Sequence, residues 1–171
     1  MTEMPKGDFA KPDPENTLWI LTEVYYPEDI STGYYLTSIA EGLAKERRVK
    51  VLTGQPKHMS RGKRAPSREV RNEVEIFRAW GTTFDKNILL FRLINMATIG
   101  VSIFWRSLRM FRSGDQVLVV TAPPSLPVTT TAACLISGSD LTLLVQDSYP
   151  EILVAVRAAR PKSPFVQLVH F

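Results

Sequence analysis

The sequence is poor in the residues that most often carry enzyme chemistry. It has one cysteine, Cys134, and two histidines, His58 and His170, in 171 residues. A single cysteine excludes an internal disulfide and fits a reducing compartment. Neither histidine has a second ligand at metal spacing, so we predict no metal site and interpret both as surface residues. A serine or cysteine nucleophile is also unsupported, because GxSxG does not occur and Cys134 falls on the apolar side of a predicted helix.

Phosphate-binding and targeting signatures are missing as well. GxGxxG does not follow the first predicted strand, and GxxxxGK[ST] does not occur. Residues 1–17 have no apolar stretch that could serve as a secretion signal, and we interpret them as a flexible leader. The longest uncharged run of the most apolar segment, Leu93–Trp105, is shorter than the roughly 20 residues that span a bilayer. The expected location is the cytoplasm.

Positive charge is modest overall, at +4, but it is concentrated in one segment. Against a single acid, Glu69, this segment carries six basic residues: Lys57, Arg61, Lys63, Arg64, Arg68 and Arg71. Such a cluster is typical either of phosphate binding or of a solvated surface loop. No zinc spacing, helix-turn-helix pattern or RNA-binding aromatic signature accompanies it, so nucleic acid is not an expected partner.

Short apolar runs alternate with helical patterns from Leu18 onward. The predicted strands are Leu18–Val24, Val49–Thr53, Val74–Arg78, Gln116–Thr121 and Leu141–Gln146. Strands that are apolar throughout and alternate with helices indicate a parallel sheet covered on both faces. The predicted fold is therefore α/β, a Rossmann-like doubly wound parallel sheet, in one domain over residues 18–160.

Two of the predicted helices are short. The first has one apolar face at helical spacing, formed by Leu36, Ile39, Ala40, Leu43 and Ala44. The segment before it, Tyr25–Gly33, is rich in turn formers and predicts a loop. The other short helix is expected to run from a capping Ser125 to Ser137, with Gly138 ending it.

The long predicted helix, Asn87–Arg112, combines a polar stripe with a wide apolar face. The stripe residues are three or four apart: Arg92, Asn95, Thr98, Ser102, Arg106 and Arg109. Two arrangements fit this pattern: a helix lying in a membrane interface, or a helix packed on the sheet with its stripe in water. In the first arrangement the membrane-facing residues are Arg92, Trp105, Arg106 and Arg109.

The candidate binding residues follow the carboxyl ends of the predicted strands, where ligands bind in open α/β sheets. Each loop leads towards a helix whose first amides are unpaired and attract anions. The predicted substrate-binding residues are Thr32, Gly33, Thr121, Pro123 and Glu151.

These residues also have plainer interpretations. Gly33 either allows a ligand to approach closely or permits a tight turn. Pro123 stiffens its loop or contacts the ligand. Asp147, directly after a buried strand, is the predicted catalytic carboxylate, which would accept a hydroxyl proton or orient a sugar; alternatively, it caps the following helix.

Four segments, taken in order, resemble a known family. They are YYPEDISTGYYLTSIAEGLA with VKVLTGQP, RLINMATIGVSIFWRSLR, VLVVTAPPSLPV, and LTLLVQDSYPEILVAV, within about Leu18 to Val156. Together they resemble the N-terminal domain of glycosyltransferase family 4 proteins. The most similar group makes bacterial exopolysaccharide and O-antigen sugars, as the colanic acid and fucosamine transferases do.

The resemblance implies one half of a GT-B architecture, in which two Rossmann-like domains face each other across a cleft. It implies a retaining transfer that needs no metal or cofactor; the nucleotide-sugar is a co-substrate bound mainly by the other domain. Gly33 would face the donor phosphates. Asp147 lies where many members have His-Asp, but Gln146 replaces that histidine here. The helix at 87–112 would face the membrane that holds polyprenyl-linked acceptors.

The family's donor domain has no counterpart here, and residues 161–171 are interpreted as a truncated linker. The expected function is transfer of a sugar from a nucleotide-sugar to a saccharide or polyprenyl-linked acceptor in cell-surface polysaccharide synthesis. We expect the chain to be inactive alone and to need a separate donor-domain subunit; exposed apolar surface would also favour self-association. The alternative is a non-catalytic acceptor- or membrane-binding module. Both place the chain in the cytoplasm, including the inner face of the cytoplasmic membrane.

Overall fold

A computed structural model describes residues 16–28, 30–56, 65–85 and 87–146. Within those ranges six strands form one sheet in the order β3-β4-β2-β1-β5-β6. The strands are β1 (Leu18–Leu21), β2 (Val49–Thr53), β3 (Arg68–Arg71), β4 (Val74–Arg78), β5 (Gln116–Val120) and β6 (Asp140–Leu144). The helices are α1 (Ser31–Ala44), α2 (Leu89–Met110) and α3 (Ser125–Ser137). Every strand pair is parallel except β3–β4. The predicted α/β class with a mostly parallel sheet is confirmed, and the fold is compatible with a Rossmann-like arrangement.

The sheet has helices on both faces. On one face, Leu36 and Ala40 of α1 pack into a core that includes Ile20 and Val51. On the other face, α2 and α3 form a second core with the strands. Its members include Trp19, Leu21, Ile99, Ile103 and Leu126. The central strands β1, β2 and β5 are buried on both sides, which explains their apolar sequences.

The start of α1 differs from the prediction. The segment expected to end as a loop at Gly33 is already helical from Ser31. The buried face is also narrower than expected, because Ile39 is 45% exposed while Leu36 and Ala40 are buried. The helix covers only β2 and β4 closely, so one side of its predicted apolar face remains in water.

The basic segment contains a strand that the sequence did not predict. Residues Arg68–Arg71, expected in a loop, form β3 and pair antiparallel with β4. Asn72 and Glu73 form the turn with φ of 45° and 66°. An edge strand with charged, exposed side chains carries no hydrophobic period, which is why the pattern failed to predict it.

The ends of α3 follow the prediction at one terminus only. Gly138 ends the helix in the left-handed conformation, with φ of 71°, and its N–H donates to the Cys134 carbonyl at 2.9 Å. Ser125 does not cap α3; its hydroxyl donates instead to the Met96 carbonyl of α2 at 3.3 Å. Cys134 lies on the buried side, as predicted, and burial raises the pKa of its thiol to about 11.

Helix α2 begins two residues later and ends two residues earlier than predicted. In the described part of the chain it alone is long and apolar enough, by length and composition, to cross a membrane: it has 22 residues and a mean hydropathy of 1.3. From its uncharged run alone, Leu93–Trp105, the sequence predicted a segment too short to span a bilayer. Ile99 and Ile103 are 1% and 0% exposed in the core beside the sheet. Since a spanning orientation would remove both from that core, α2 is a layer of this domain.

The predicted domain ends lie largely outside the described ranges. Thr17, the last residue of the predicted leader, is buried, and its N–H donates to Asp115 Oδ1 at 3.0 Å. The earlier residues of the leader up to 15 and the segment 161–171 are not among the described residues.

Candidate functional site

The strand order places a crevice between β1 and β5. From β1 the chain moves outward through β2 to β4, and it then returns to β5 on the other side of β1. Such a reversal separates the loops at the carboxyl ends of the two strands and is where open α/β sheets bind ligands. The structure brings Thr32 and Gly33 to the loop side of β1, and Thr121 and Pro123 to the end of β5.

Gly33 is required by a close contact with the loop that precedes α1. A Cβ on Gly33 would lie 2.5 Å from the Glu28 carbonyl oxygen and 3.2 Å from Val24 Cγ1. The residue is the third of α1 and is buried. The tight-turn explanation is therefore wrong. The absence of a side chain at Gly33 lets the backbone of α1 approach the backbone of Glu28 closely. Thr32, beside it, is half-buried in the same first turn.

Among the described residues, no side chain caps the first turn of α1. Its N-cap residue is Ile30, which makes no side-chain hydrogen bond, and the first turn contains no acidic residue. The leading amides of a helix have no partner within the helix, and they attract anions. The crevice therefore presents a positive helix terminus beside Thr32 and Gly33.

Arg78, at the end of β4, holds the loop after β1 in place through hydrogen bonds. Its guanidinium is fully buried and donates to the Tyr26 carbonyl at 2.8 Å and to the Pro66 carbonyl at 3.0 Å. It also forms an ion pair with Glu69 of β3. One buried side chain thus ties the β1–α1 loop to the edge hairpin, while its Nε is buried without a hydrogen-bond partner among the described residues.

A second set of contacts joins the edge hairpin to α1 and to the loop after β1. Arg71 of β3 pairs with Glu41 of α1 at 2.8 Å, and its guanidinium lies 3.7 Å from the centre of the Tyr26 ring. Asn72 also donates to Glu41, at 2.8 Å. Tyr25 is buried beside this cluster, and burial, together with the charge of Glu41, raises the pKa of its hydroxyl well above the usual value. These contacts hold the loop in place, and Tyr25 remains neutral.

The two predicted site residues after β5 form hydrogen bonds within the protein. Thr121 donates its N–H to the Leu144 carbonyl at 3.3 Å, and its hydroxyl accepts from the N–H of Gln146 at 3.1 Å. The Pro123 carbonyl accepts from the N–H of Leu126 at 3.0 Å, within the start of α3. Both predicted residues therefore lie at the crevice with polar atoms already engaged by the protein.

The loop after β2 is tied at its base by one side chain. The amide of Gln55 donates to the Ala65 carbonyl at 3.3 Å and accepts from the Ala65 N–H at 3.2 Å. The two ends of the intervening segment therefore meet at the carboxyl end of β2. Residues 57–64, with four of the six clustered basic residues and His58, lie outside the described ranges.

The two acidic residues predicted for the site are not placed. Asp147 and Glu151 lie beyond Gln146, the last described residue, and so does His170. Among the residues that are described, no group of three or more His, Cys, Asp or Glu side chains could hold a metal ion. The described part of the site therefore offers amides, threonines and close-packed backbone.

The polar stripe of α2 is divided between two environments. Asn95 accepts from the Phe84 N–H at 3.0 Å and donates to the Phe84 carbonyl at 2.9 Å. Thr98 accepts from the Thr82 N–H at 3.1 Å. These two residues bind the loop before the helix, contrary to the expectation that the whole stripe faces water or lipid. Arg92 and Arg109 are exposed and Arg106 is half-buried.

Sequence reasoning missed the residues that hold the site together. In the sequence, Arg78 only ends a predicted strand, and Gln55 has no predicted role. The available signal was an arginine closing an otherwise alternating apolar strand, VEIFR, at the carboxyl end. A charged side chain at such a position is buried only when paired, which makes it a candidate for a fixed contact.

Neither the family models nor the curated proteins compared with this chain give a match. The fold assignment therefore rests on the observed strand order and on the helices packed against both faces.

Proposed function

We propose that this chain is the acceptor-side half of a retaining GT-B glycosyltransferase. It would support transfer of a sugar from a nucleotide-sugar to a saccharide or polyprenyl-linked acceptor in cell-surface polysaccharide synthesis, at the cytoplasmic face of the membrane. The family resemblance suggests the reaction. The observation that carries the proposal is the crevice between β1 and β5, with the first turn of α1 opening beside it.

This crevice suits a ligand that carries phosphate and hydroxyl groups. The first amides of α1 provide donors for an anion, and Thr32 lies among them. Gly33 keeps the preceding loop against the helix, because any side chain would meet the Glu28 carbonyl. Arg78 also holds that loop, through a hydrogen bond to the Tyr26 carbonyl. The site is therefore preorganised, which lowers the entropic cost of binding.

The roles of two acidic residues belong to the same proposal. Asp147 would orient or deprotonate an acceptor hydroxyl, and Glu151 would contact substrate or the helix start. A donor domain, as a second subunit or domain, would bind the nucleotide-sugar and stabilise the charge of the leaving diphosphate. The present chain would contribute acceptor binding and geometry.

A binding experiment tests this assignment without a partner. The probe is a short-chain polyprenyl diphosphate carrying one sugar, titrated against the full chain by microscale thermophoresis. Thr32→Glu places a negative charge in the first turn, where it favours the helix but repels phosphate. We expect affinity to fall at least about tenfold, the effect of roughly 1.4 kcal/mol. Ser38→Glu, an exposed change on the same helix, is the matched control and should leave affinity within about twofold.

A transfer assay tests the reaction itself. Radiolabelled nucleotide-sugar and the same acceptor are incubated with the chain, with and without a GT-B donor domain supplied in trans. We expect transfer only with both components and its loss in Asp147→Asn. Absence of both acceptor binding and transfer in a folded protein would reject the proposal. Acceptor binding that never leads to transfer would favour the non-catalytic binding module.

A further inference from the structure

The outer side of β6 is a sheet edge with exposed apolar side chains. Leu141, Leu143 and Val145 are 37%, 47% and 59% exposed. Leu141 and Leu143 are in register with Val117 and Val119 of β5, so they lie on the face of the sheet against which α3 packs. Within the described part of the chain, no strand pairs with the outer edge of β6, so the sheet ends there in apolar side chains.

This part of the chain carries almost no charge. Asp140 is the only charged residue between Gln116 and Gln146, the stretch that contains β5, α3 and β6. Helix α3 is uncharged over its whole length, although its Val128, Leu135 and Ile136 are 71%, 81% and 68% exposed. A helix that faces water normally has charged residues on its outer face. Exposed apolar residues that form a continuous surface are typical of interaction sites.

Helix α3 and β6 form the two sides of one groove. Thr131 and Leu135 of α3 and Leu141 of β6 line this groove. Val128 lies on the same side of α3, because seven residues, about two helical turns, separate it from Leu135. The strand edge and this side of the helix therefore belong to one surface. It is termed here the α3–β6 surface and consists of Val128, Leu135, Leu141, Leu143 and Val145.

The backbone of β6 determines how a further strand can pair with it. The Asp140 N–H donates to the Asp115 carbonyl at 2.9 Å, and the Leu144 carbonyl accepts from the Thr121 N–H at 3.3 Å. The even-numbered residues of β6 therefore bond to β5. Because the direction of the backbone groups alternates along a strand, those of the odd-numbered residues point outwards.

An antiparallel copy of the same strand fits this edge. Centred on Leu143, the pairing sets Leu143 opposite its counterpart and Leu141 opposite Val145, so that the outward backbone groups of all three are bonded. The same register places Asp140 opposite the neutral Gln146 and keeps the two Asp140 carboxylates roughly 20 Å apart. The β3 edge is a poor partner for this strand, since its side chains are mostly charged.

A second copy would also cover the exposed side of α3. The helix packs against both β5 and β6, and neighbouring strands are about 4.8 Å apart. Two domains joined through β6 would therefore place their α3 helices about 10 Å apart, close to the distance at which helices pack. Val128 and Leu135 of each helix would be covered in this way. An isolated extended peptide at the strand edge would leave both exposed.

We propose that the α3–β6 surface binds a second copy of this chain, so that two domains form a homodimer. The β6 strands pair antiparallel about a two-fold axis through Leu143, and the six strands of each copy join into one continuous sheet. The two α3 helices pack against each other over the paired strands. This inference concerns neither the crevice nor sugar chemistry, and it does not rest on the function proposed above.

Cross-linking between introduced cysteines tests the register. Cys134 is the only cysteine of the chain, so every variant is made in a Cys134→Ala background. Leu143→Cys should form a disulfide-linked dimer under mild oxidation, since the Cα atoms of a directly opposed, hydrogen-bonded pair are about 5.5 Å apart. Leu141→Cys is the matched control and should not cross-link to itself, because its two Cα atoms would be about 14 Å apart. It should cross-link to Val145→Cys when the two variants are mixed before oxidation.

Sedimentation velocity of the full chain tests the surface as a whole. We expect a concentration-dependent dimer, and Val128→Gln combined with Leu135→Gln should raise its dissociation constant at least about tenfold. Leu90→Gln with Trp105→Gln changes a similarly exposed apolar pair on α2 and should leave the constant within about twofold. A protein that stays monomeric at every concentration, or equal weakening by the two double variants, would overturn the inference. So would self-cross-linking of Leu141→Cys as readily as of Leu143→Cys.

Discussion

The two edges of the sheet are built in opposite ways. At the β3 edge the side chains are charged and paired: Glu69 with Arg78, Arg71 with Glu41, and Arg68 with Glu75. At the β6 edge the side chains are apolar and open, with Leu141 and Leu143 at 37% and 47% exposure. Charged edge strands resist the addition of another strand, whereas open apolar edges allow it. Within the described ranges, the β3 edge is protected against the addition of another strand and the β6 edge is open to it.

The difference extends to the loops beside each edge. The β3 side fixes the loop after β1 through Arg78, whose partners are Tyr26 of that loop and Pro66 and Glu69 at the edge strand. The β6 side is joined to β5 mainly by backbone pairing and by Thr121. Position is therefore determined by buried polar side-chain contacts on one side and mainly by backbone pairing on the other. The four predictions below test that contrast.

Arg78→Met should have the largest effect. It removes the buried guanidinium and leaves two carbonyls and the Glu69 carboxylate without their partner. We expect the free energy of unfolding to fall by about 3 kcal/mol, measured by urea denaturation. Arg68→Met, on an exposed ion pair of the same hairpin, should change it by less than about 0.5 kcal/mol. Equal effects of the two changes would mean that the closed edge depends on surface charge alone.

Gly33→Ala should have the next largest effect. The new Cβ would lie 2.5 Å from a backbone oxygen that cannot move without the loop. We expect a loss of about 2 kcal/mol. Gly42→Ala in the same helix has open space around it and should stabilise the protein by about 0.5–1 kcal/mol. A stable Gly33→Ala protein in thermal melting would show that the loop after β1 is less fixed than these contacts indicate.

Cys134, on the β6 side, should produce a smaller, pH-dependent effect. Burial raises the pKa of its thiol to about 11, so the unfolded chain ionises it first as pH rises. The corresponding stability is fully present below about pH 9 and is lost as pH approaches 11. Denaturant midpoints of wild type and Cys134→Ala should therefore converge over that range. Parallel pH curves would mean that the thiol is not desolvated by α3 packing.

Leu143→Lys should have the smallest effect on folding. The side chain is 47% exposed, so unfolding free energy should change by no more than about 0.5 kcal/mol. The charge should nevertheless reduce concentration-dependent self-association, because lysine on an edge strand opposes strand addition. Sedimentation velocity over a range of concentrations measures this. Val70→Lys on the β3 edge, already flanked by charge, is the control and should leave association unchanged.

Much of the fold could be predicted because most strands are buried on both faces. β1, β2 and β5 are apolar in sequence and central in the sheet, so pattern and position agree. β3 could not be found in this way, because its identity as a strand depends on pairing with β4 and its side chains remain charged and exposed. The early start of α1 was missed for a related reason: Gly33 weakens local helix propensity but is required by contact with Glu28.

The site was harder to predict than the fold. Its position at the carboxyl ends of the strands follows from the α/β pattern, and Thr32, Gly33, Thr121 and Pro123 do lie there. What fixes these loops does not follow, because Arg78 bonds to residues 9, 12 and 52 positions away in the chain. Such partners become neighbours only after the sheet has formed. Asp147 and Glu151 stay predictions.

The amide of Gln55 has a consequence for how this protein tolerates change. Its two hydrogen bonds to Ala65 hold the residues after β2 and the residues before β3 next to each other. β4 lies between β2 and β3 in the sheet, so these two points are joined through a side chain rather than through strand pairing. A change at Gln55 would therefore release both ends of the connection at once.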